Sequence, residues 1–218
     1  MPGSVLHDPG SQEPVFFLSY AHVRQADGDE ERDPDGAVMR FFYDLSAHMN
    51  QLIDRNTGVD AGAMDRTMGG SERWTDDLLQ GLGTCHVFVA LTSPRYFNSE
   101  WCGREWGAFE ARLHDPDGGP APIETAIVPV RWVPTIRDQT PVVSQAIQEF
   151  STPAGRERNL YKENGLYGLL EGGQVDVYKY IVWRLARRVA TLYYSTAIPK
   201  RIPPSAKDLP NVFLREAL

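Results

Sequence analysis

The sequence predicts an α/β fold with a parallel sheet, because short apolar strands alternate with amphipathic helices along most of its 218 residues. Val87 to Leu91 is an apolar run of strand length. The segment after it places four apolar side chains, at spacings of four, three and four, on one stripe of a helix: Cys102, Trp106, Phe109 and Leu113. A second amphipathic helix is predicted from Val175 to Tyr193.

The overall composition is that of an ordinary globular chain, with 42% hydrophobic and 23% charged residues. The formal net charge of -7 argues against nucleic-acid binding, which usually needs a basic face. No apolar run approaches the roughly 20 residues of a membrane helix, and the N-terminus lacks the basic and apolar regions of a signal peptide. We therefore expect a cytoplasmic protein that binds neither nucleic acid nor membrane.

Three regions are expected along the chain. Residues 1–14 are polar and rich in Pro and Gly, which predicts a disordered leader. Residues 15–194 hold the alternating strands and helices of one domain. Residues 195–218 contain four prolines and little periodicity, so we expect a tail, or a linker to a downstream domain.

The first strand is predicted from Val15 to Tyr20, a short run of apolar β-formers, with Ser19 and Tyr20 at its carboxyl end. Residues 23–36 carry a dense acidic run, which favours a solvated loop. The spacing of apolar residues then predicts a strong helix from Ala37 to Ile53.

The second strand has the weakest sequence signal. Only four residues could form it: Val59, Ala61, Ala63 and Met64. Asp65 follows this segment, and Gly69 and Gly70 make the next loop permissive in φ. A short helix is predicted from Trp74 to Leu82, and Gly83 is placed to end it.

A fourth strand is predicted from Ala126 to Val133, although Pro129 inside it would normally argue against a central strand. Residues 142–150 fit either a last strand or an irregular segment. A short helix is expected from Asn159 to Leu170. The final helix also carries four basic side chains, interpreted as a solvated face: Lys179, Arg184, Arg187 and Arg188.

The two cysteines, Cys85 and Cys102, are expected to be buried and reduced, because one lies in a predicted strand region and the other on an apolar helix stripe. No metal-ligand cluster is expected among the Cys and His residues. The sequence contains no G-x-G-x-x-G motif, which excludes a Rossmann dinucleotide site.

Glu105 is the candidate catalytic residue. It lies four residues after Trp101, so the carboxylate and the indole are expected side by side on the helix. A carboxylate just beyond the carboxyl end of a buried strand lies where open α/β sheets bind ligands. The alternative is a surface glutamate that pairs with Arg104 or Arg112.

The same stretch carries a family resemblance. Residues 93–105, SPRYFNSEWCGRE, resemble the strand-C to helix-C signature of TIR domains. FFLSYAH, at 16–22, resembles the opening TIR box, and residues 64–74 resemble the mobile TIR loop. The resemblance covers roughly residues 14–194. It implies a flavodoxin-like fold, with a central five-stranded parallel sheet and helices on both faces.

The resemblance also implies an activity. In the TIR domains that cleave NAD+, the glutamate of this signature is catalytic, and here it would be Glu105. The expected activity is NAD+ glycohydrolase or ADP-ribosyl cyclase, with NAD+ as substrate, no cofactor, and activation by TIR–TIR self-association. We expect four side chains to contact the substrate: Trp101, Ser19, Tyr20 and Asp65. For Ser19 and Tyr20 the alternative is ordinary packing, for Asp65 it is capping of the loop, and the role of His22 is open.

A single carboxylate suffices for this chemistry, because the nicotinamide leaving group of NAD+ is already cationic and needs no general acid. The carboxylate would stabilise the oxocarbenium-like ribose electrostatically. Two other functions stay open. One is a non-catalytic signalling module that binds other TIR domains through residues 64–73. The other is a regulator of peptide maturation, because the sequence most resembles TIR-like proteins encoded beside actinobacterial FxSxx-COOH peptide clusters.

Overall fold

The computed structural model describes residues 12–23, 33–55, 58–65, 76–113, 125–136, 140–205 and 209–214. Within them the chain forms a parallel sheet of four strands in the order β2-β1-β3-β4. The strands are β1 (Phe16–Ser19), β2 (Gly62–Met64), β3 (Val87–Thr92) and β4 (Ile127–Arg131). The predicted α/β class with a parallel sheet is confirmed.

Helices cover both faces of the sheet, as predicted. Those of the described residues are α1 (Gly36–Leu52), α2 (Asp76–Thr84), α3 (Pro94–Phe97), α4 (Glu100–Leu113), α5 (Val142–Gln145), α6 (Arg156–Glu171) and α7 (Val175–Ser195). One core layer lies between the sheet and α1, α6 and α7, and the other between the sheet and α2, α3 and α4. None of these helices combines the length and the apolar character needed to cross a membrane.

The alternation of side chains along β1 explains the two layers. Phe16 and Leu18 point into the layer of α1 and α7, whereas Phe17 points into the layer of α2 and α4. Phe17 stacks on Phe88 of β3, with 5.9 Å between the ring centroids. Because successive side chains point to opposite faces, Ser19 lies on the same face as Phe17 and therefore faces α4.

The weak second strand is present as the three-residue edge strand β2, which pairs with β1. Gly62 begins it beneath the ring of Phe16, where an added Cβ would lie 2.3 Å from the nearest ring carbon. The strand therefore depends on close backbone approach rather than on β-forming side chains, which is why its sequence signal is weak.

The prediction of a fifth strand is wrong. Residues 142–150, where it could have lain, form α5 and an irregular segment. Pro129 explains the difference. Its carbonyl oxygen accepts a hydrogen bond of 2.8 Å from the N–H of Phe150, but proline has no N–H with which to continue a ladder. Two residues further along the same edge, the N–H of Arg131 donates to the hydroxyl of Tyr161 at 2.8 Å. The outer edge of β4 is thus satisfied without another strand.

The stretch 195–218, expected to be a tail or linker, packs on the domain over its described part. Arg112, itself buried, donates through Nε to the carbonyl oxygen of Pro199 at 2.9 Å. Val212 and Phe213 are buried in the layer of α4. Gly107 of α4 lies so close to Val212 that an added Cβ would be 2.7 Å from its side chain. Residues 1–11, most of the expected leader, lie outside the described residues.

Both cysteines are free and buried, as predicted. Cys85 lies beside Arg112, whose Nη1 is 3.5 Å from its sulfur. Burial raises the pKa of the Cys85 thiol to about 11, although the arginine opposes the shift. The thiol is therefore a neutral packing group at physiological pH.

Gly165 combines a positive φ with a close contact to the backbone of another segment. The helix α6 is interrupted by a kink at Gly165, where φ is +66° and ψ is 177°, and an added Cβ would lie 2.4 Å from the carbonyl oxygen of Trp132. We expect Gly165→Ala to lower the free energy of unfolding by on the order of 3 kcal/mol, measured by urea denaturation. Gly173 is the matched control, because its φ is +71° but nothing lies within 4 Å of the added carbon. Gly173→Ala should cost only about 1–2 kcal/mol, and equal losses would contradict the steric part of the argument.

Candidate active site

The candidate site lies at the carboxyl edge of the sheet. The chain passes from β1 to β2 on one side and later returns to β3 on the other side of β1. This reversal of strand order is the topological switch point at which open α/β sheets bind ligands. Ser19 and Tyr20 end β1, Asp65 ends β2, and α4 brings Glu105 to the same edge.

Glu105 is buried, with only 5% of its surface exposed. Its Oε2 accepts a hydrogen bond from the hydroxyl of Ser19. The Ser19 oxygen is also 3.0 Å from the hydroxyl of Tyr96. Ser19 and Tyr96 are both fully buried. The carboxyl group is thus held by a buried hydroxyl chain rather than by a cation, and it is not the surface residue of the alternative interpretation.

The local sequence explains how Tyr96 and Glu105 reach this position. Ser93 caps α3, because its hydroxyl accepts the N–H of Tyr96 at 3.0 Å, and Pro94 occupies the first turn. This short helix turns Tyr96 inward. Ser99 then accepts the N–H of Cys102 at 3.3 Å, which starts α4 one turn before Glu105.

Burial determines the protonation of Glu105. Desolvation raises the pKa of its carboxyl to about 8, and the negative charge of Asp65 adds to the rise. The Ser19 hydrogen bond and the positive charge of His22 oppose it. Without a bound cation, the carboxyl is therefore mostly protonated at neutral pH.

A second polar cluster lies beside it, around His22. The Nδ1 atom of His22 is 2.6 Å from Oδ2 of Asp35, and its Nε2 atom is 3.9 Å from Oδ2 of Asp65. Asp35 is buried and also accepts the N–H of Val23 at 3.2 Å. Burial lowers the pKa of His22, but the hydrogen bond to Asp35 and the negative charges of Asp35 and Asp65 outweigh it and raise the pKa to about 9. His22 is therefore a cation between two carboxylates.

Tyr20 connects this cluster to the end of β2. Its hydroxyl donates to the backbone carbonyl of Asp65 at 3.0 Å, and its ring centroid lies 4.5 Å from that of His22. Burial and the neighbouring carboxylates raise the pKa of the phenol, so Tyr20 stays neutral and acts as a hydrogen-bond donor.

Trp101 lies on α4 one turn before Glu105 and is half-buried. The guanidinium of Arg104 lies 5.1 Å from the centroid of its ring. Arg104 also pairs with Glu100, while Arg112 donates to the carbonyl oxygens of Leu82 and Cys85. The two arginines named as alternative partners of Glu105 thus have other acceptors.

A cleft of about 570 Å³ opens at the same edge of the sheet, on the other side of α3. Pro94 and Arg95 line it together with two aromatic residues, Trp132 and Tyr167. The next residue of α3, Tyr96, contacts Ser19 instead. A single helical turn therefore separates the open cleft from the buried carboxyl group of Glu105.

The structure brings together the residues that the sequence named, Ser19, Tyr20, Asp65 and Glu105, with His22, whose role the sequence left open. It adds Asp35 and Tyr96. Asp35 was not identified from the sequence as a site residue, because it lies in an acidic run that predicts a solvated loop. Asp35 lies immediately before α1, where an aspartate often caps a helix, but its side chain makes no cap hydrogen bond and accepts the N–H of Val23 instead. No group of three or more His, Cys, Asp or Glu side chains is placed to hold a metal ion in the part of the chain that the structure describes.

A family model described as TIR domain matches residues 47–159, just over half of the chain. The chain belongs to the TIR domain family. The match spans β2, β3 and β4 and includes Asp65 and Glu105. No curated protein and no solved structure matches the chain. The TIR family includes enzymes that cleave NAD+ as well as members that act only through protein contacts.

The buried carboxyl group of this TIR domain makes its stability depend on pH. The folded pKa of Glu105 is raised from the ordinary 4.5 to about 8, so both folded and unfolded chains are protonated below about pH 4.5. Between these values the unfolded chain releases a proton that the folded chain retains, and the wild type loses stability as pH rises. We expect Glu105→Gln, which removes this cost, to be more stable by about 2–4 kcal/mol at pH 7 and little changed near pH 4.

Urea unfolding of both proteins across this pH range tests the prediction. Glu110→Gln, on the same helix, is the control for the loss of one negative charge. A stabilisation by Glu105→Gln that does not vary with pH would contradict the buried, protonated carboxyl.

Proposed function

We propose that this TIR domain is an NAD+ glycohydrolase or ADP-ribosyl cyclase, with Glu105 as its catalytic residue. The observation that carries the proposal is the position of Glu105: a buried carboxyl at the topological switch point, held by Ser19 at the end of β1. Family membership supports it, because the glutamate at this position of the signature is catalytic in the TIR domains that cleave NAD+.

The proposed mechanism uses the charge of the substrate. The nicotinamide ring of NAD+ is cationic, so it leaves as a neutral base and no general acid is needed. Ionised Glu105 would face the ribose carbon as positive charge develops on it, and the low local dielectric would strengthen the attraction. Water, or a nucleophilic atom of the adenine ring, then completes hydrolysis or cyclisation.

The surrounding residues have proposed roles as well. The indole of Trp101 offers a plane for the nicotinamide ring. Asp65 offers an acceptor for a ribose hydroxyl, and Tyr20 holds Asp65 through the backbone carbonyl of that residue. Ser19 keeps the carboxylate of Glu105 oriented. The positive charge of His22 makes ionisation of Glu105 easier.

The first test measures nicotinamide release by chromatography at high protein concentration, with and without a crowding agent, because self-association is expected to activate the enzyme. Wild type should consume NAD+, and Glu105→Gln should be slower by at least about a hundredfold, since it loses the carboxylate charge. Glu110→Gln should match the wild type. Equal release by wild type and Glu105→Gln would remove Glu105 from the mechanism.

The pH profile provides an independent prediction. Ionised Glu105 is the active form, so kcat/KM should rise about tenfold per pH unit below its pKa and level off above about pH 8. The profile of kcat should be shifted to lower pH, because the cationic nicotinamide favours the ionised carboxyl in the complex. A wild-type profile of kcat/KM that is flat between pH 6 and 8 would contradict this assignment.

A non-catalytic TIR interaction module is the second candidate, and the small exposure of Glu105 favours it. In that case the carboxyl is a buried polar group satisfied by Ser19, and the protein acts through contacts with other TIR domains or a peptide-maturation partner. Absence of NAD+ loss in the crowded, concentrated wild type, together with concentration-dependent association by light scattering, would favour this candidate.

A further inference from the structure

A groove beside β4, at the outer edge of the sheet, is lined by three arginines, although the formal net charge of the protein is -7. Its volume is about 460 Å³, and Arg184, Arg187 and Arg188 of α7 line one wall. Their spacing of three and four residues places them on one side of the helix. The opposite wall consists of β4 and residues 147–151, so the groove is separate from the edge that holds Glu105.

The carboxylate among the described lining residues is already neutralised. Glu149 pairs in a bidentate manner with Arg131, whose Nε and Nη2 atoms each donate at 2.8 Å. Arg131 is not part of the groove wall. Arg184 and Arg187 of α7 therefore give the groove positive charge that Glu149 does not cancel.

The sheet edge beside this groove is poorly suited to an added peptide strand. Pro129 has no N–H to offer, and its carbonyl oxygen is occupied by the N–H of Phe150. The N–H of Ile127 likewise donates to the hydroxyl of Thr125, at 3.2 Å. Recognition in this groove must therefore depend on side chains, namely the guanidinium groups and the half-buried side chain of Ile147.

We propose that this groove is a binding site for a polyphosphate anion, with nucleoside di- and triphosphates as the ligand class. Guanidinium groups bind phosphate oxygens in a bidentate geometry, and several adjacent arginines match a ligand with several negative charges better than a single carboxylate. The half-buried side chain of Ile147 offers an apolar contact for the nucleoside. The volume lies within the range of small-molecule sites.

Titration calorimetry of the full chain with inorganic tripolyphosphate, ATP and adenosine tests the site. Tripolyphosphate and ATP should bind, with affinity falling as salt is added, and adenosine should bind far more weakly. The double variant Arg184→Gln/Arg187→Gln should lose at least tenfold in affinity for both anions. Circular dichroism and thermal unfolding of the variant would establish that it remains folded.

Lys179 provides the matched control. It is an exposed cation on the same helix that does not line the groove, so Lys179→Gln should change the affinity less than twofold. Any of three results would overturn the proposal. The first is failure of the wild type to bind tripolyphosphate at millimolar concentration, and the second is unchanged affinity for it in the double variant. The third is a loss of affinity in Lys179→Gln that equals, per charge removed, the loss in the double variant. Because the readout is binding, these results are independent of whether the protein cleaves NAD+.

Discussion

The desolvation of one carboxyl group governs the electrostatics of the candidate site in this TIR domain. Glu105 is withdrawn from water by the packing of α4 on the sheet, and a lone buried carboxylate is unfavourable unless hydrogen bonds or charges compensate it. Ser19 supplies one hydrogen bond, and Tyr96 in turn contacts Ser19. The Ser19 hydrogen bond favours the ionised carboxylate, but the loss of hydration outweighs it and keeps the carboxyl of Glu105 protonated. We therefore expect Glu105 to ionise when a positively charged ligand binds beside it.

The polar cluster around His22 shifts the pKa of Glu105 in two opposite directions. Asp65 raises the pKa of Glu105 and His22 lowers it, so the balance depends on how the histidine is held. Asp35 holds it through the 2.6 Å contact to Nδ1 and keeps it cationic. Asp35 also ties the start of α1 to the end of β1 through the N–H of Val23. A residue from an acidic run thus affects the field at Glu105 through His22.

Sequence reasoning found those parts of the fold and site that depend on local patterns. The apolar runs of β1 and β3 and the stripe of α4 identified the sheet and the position of Glu105. It failed where contacts between residues far apart in the sequence determine the structure. Tyr96 lies within the signature at residues 93–105, but nothing local to it indicates that its hydroxyl contacts Ser19. The fifth strand was expected from the resemblance, whereas Pro129 and the hydroxyl of Tyr161 satisfy the edge without it.

The raised pKa of Glu105 and the proposed substrate fit each other. A carboxyl that is ionised at rest would attract any cation to the site, whereas a protonated one acquires its charge only when a ligand compensates the loss of hydration. NAD+ carries that compensating charge on the nicotinamide ring itself, next to the bond that breaks. Binding and ionisation would then be linked, since each favours the other by the same free energy. A neutral analogue that lacks the ring charge could occupy the same space but would leave Glu105 protonated, so the site would distinguish the two by charge rather than by shape.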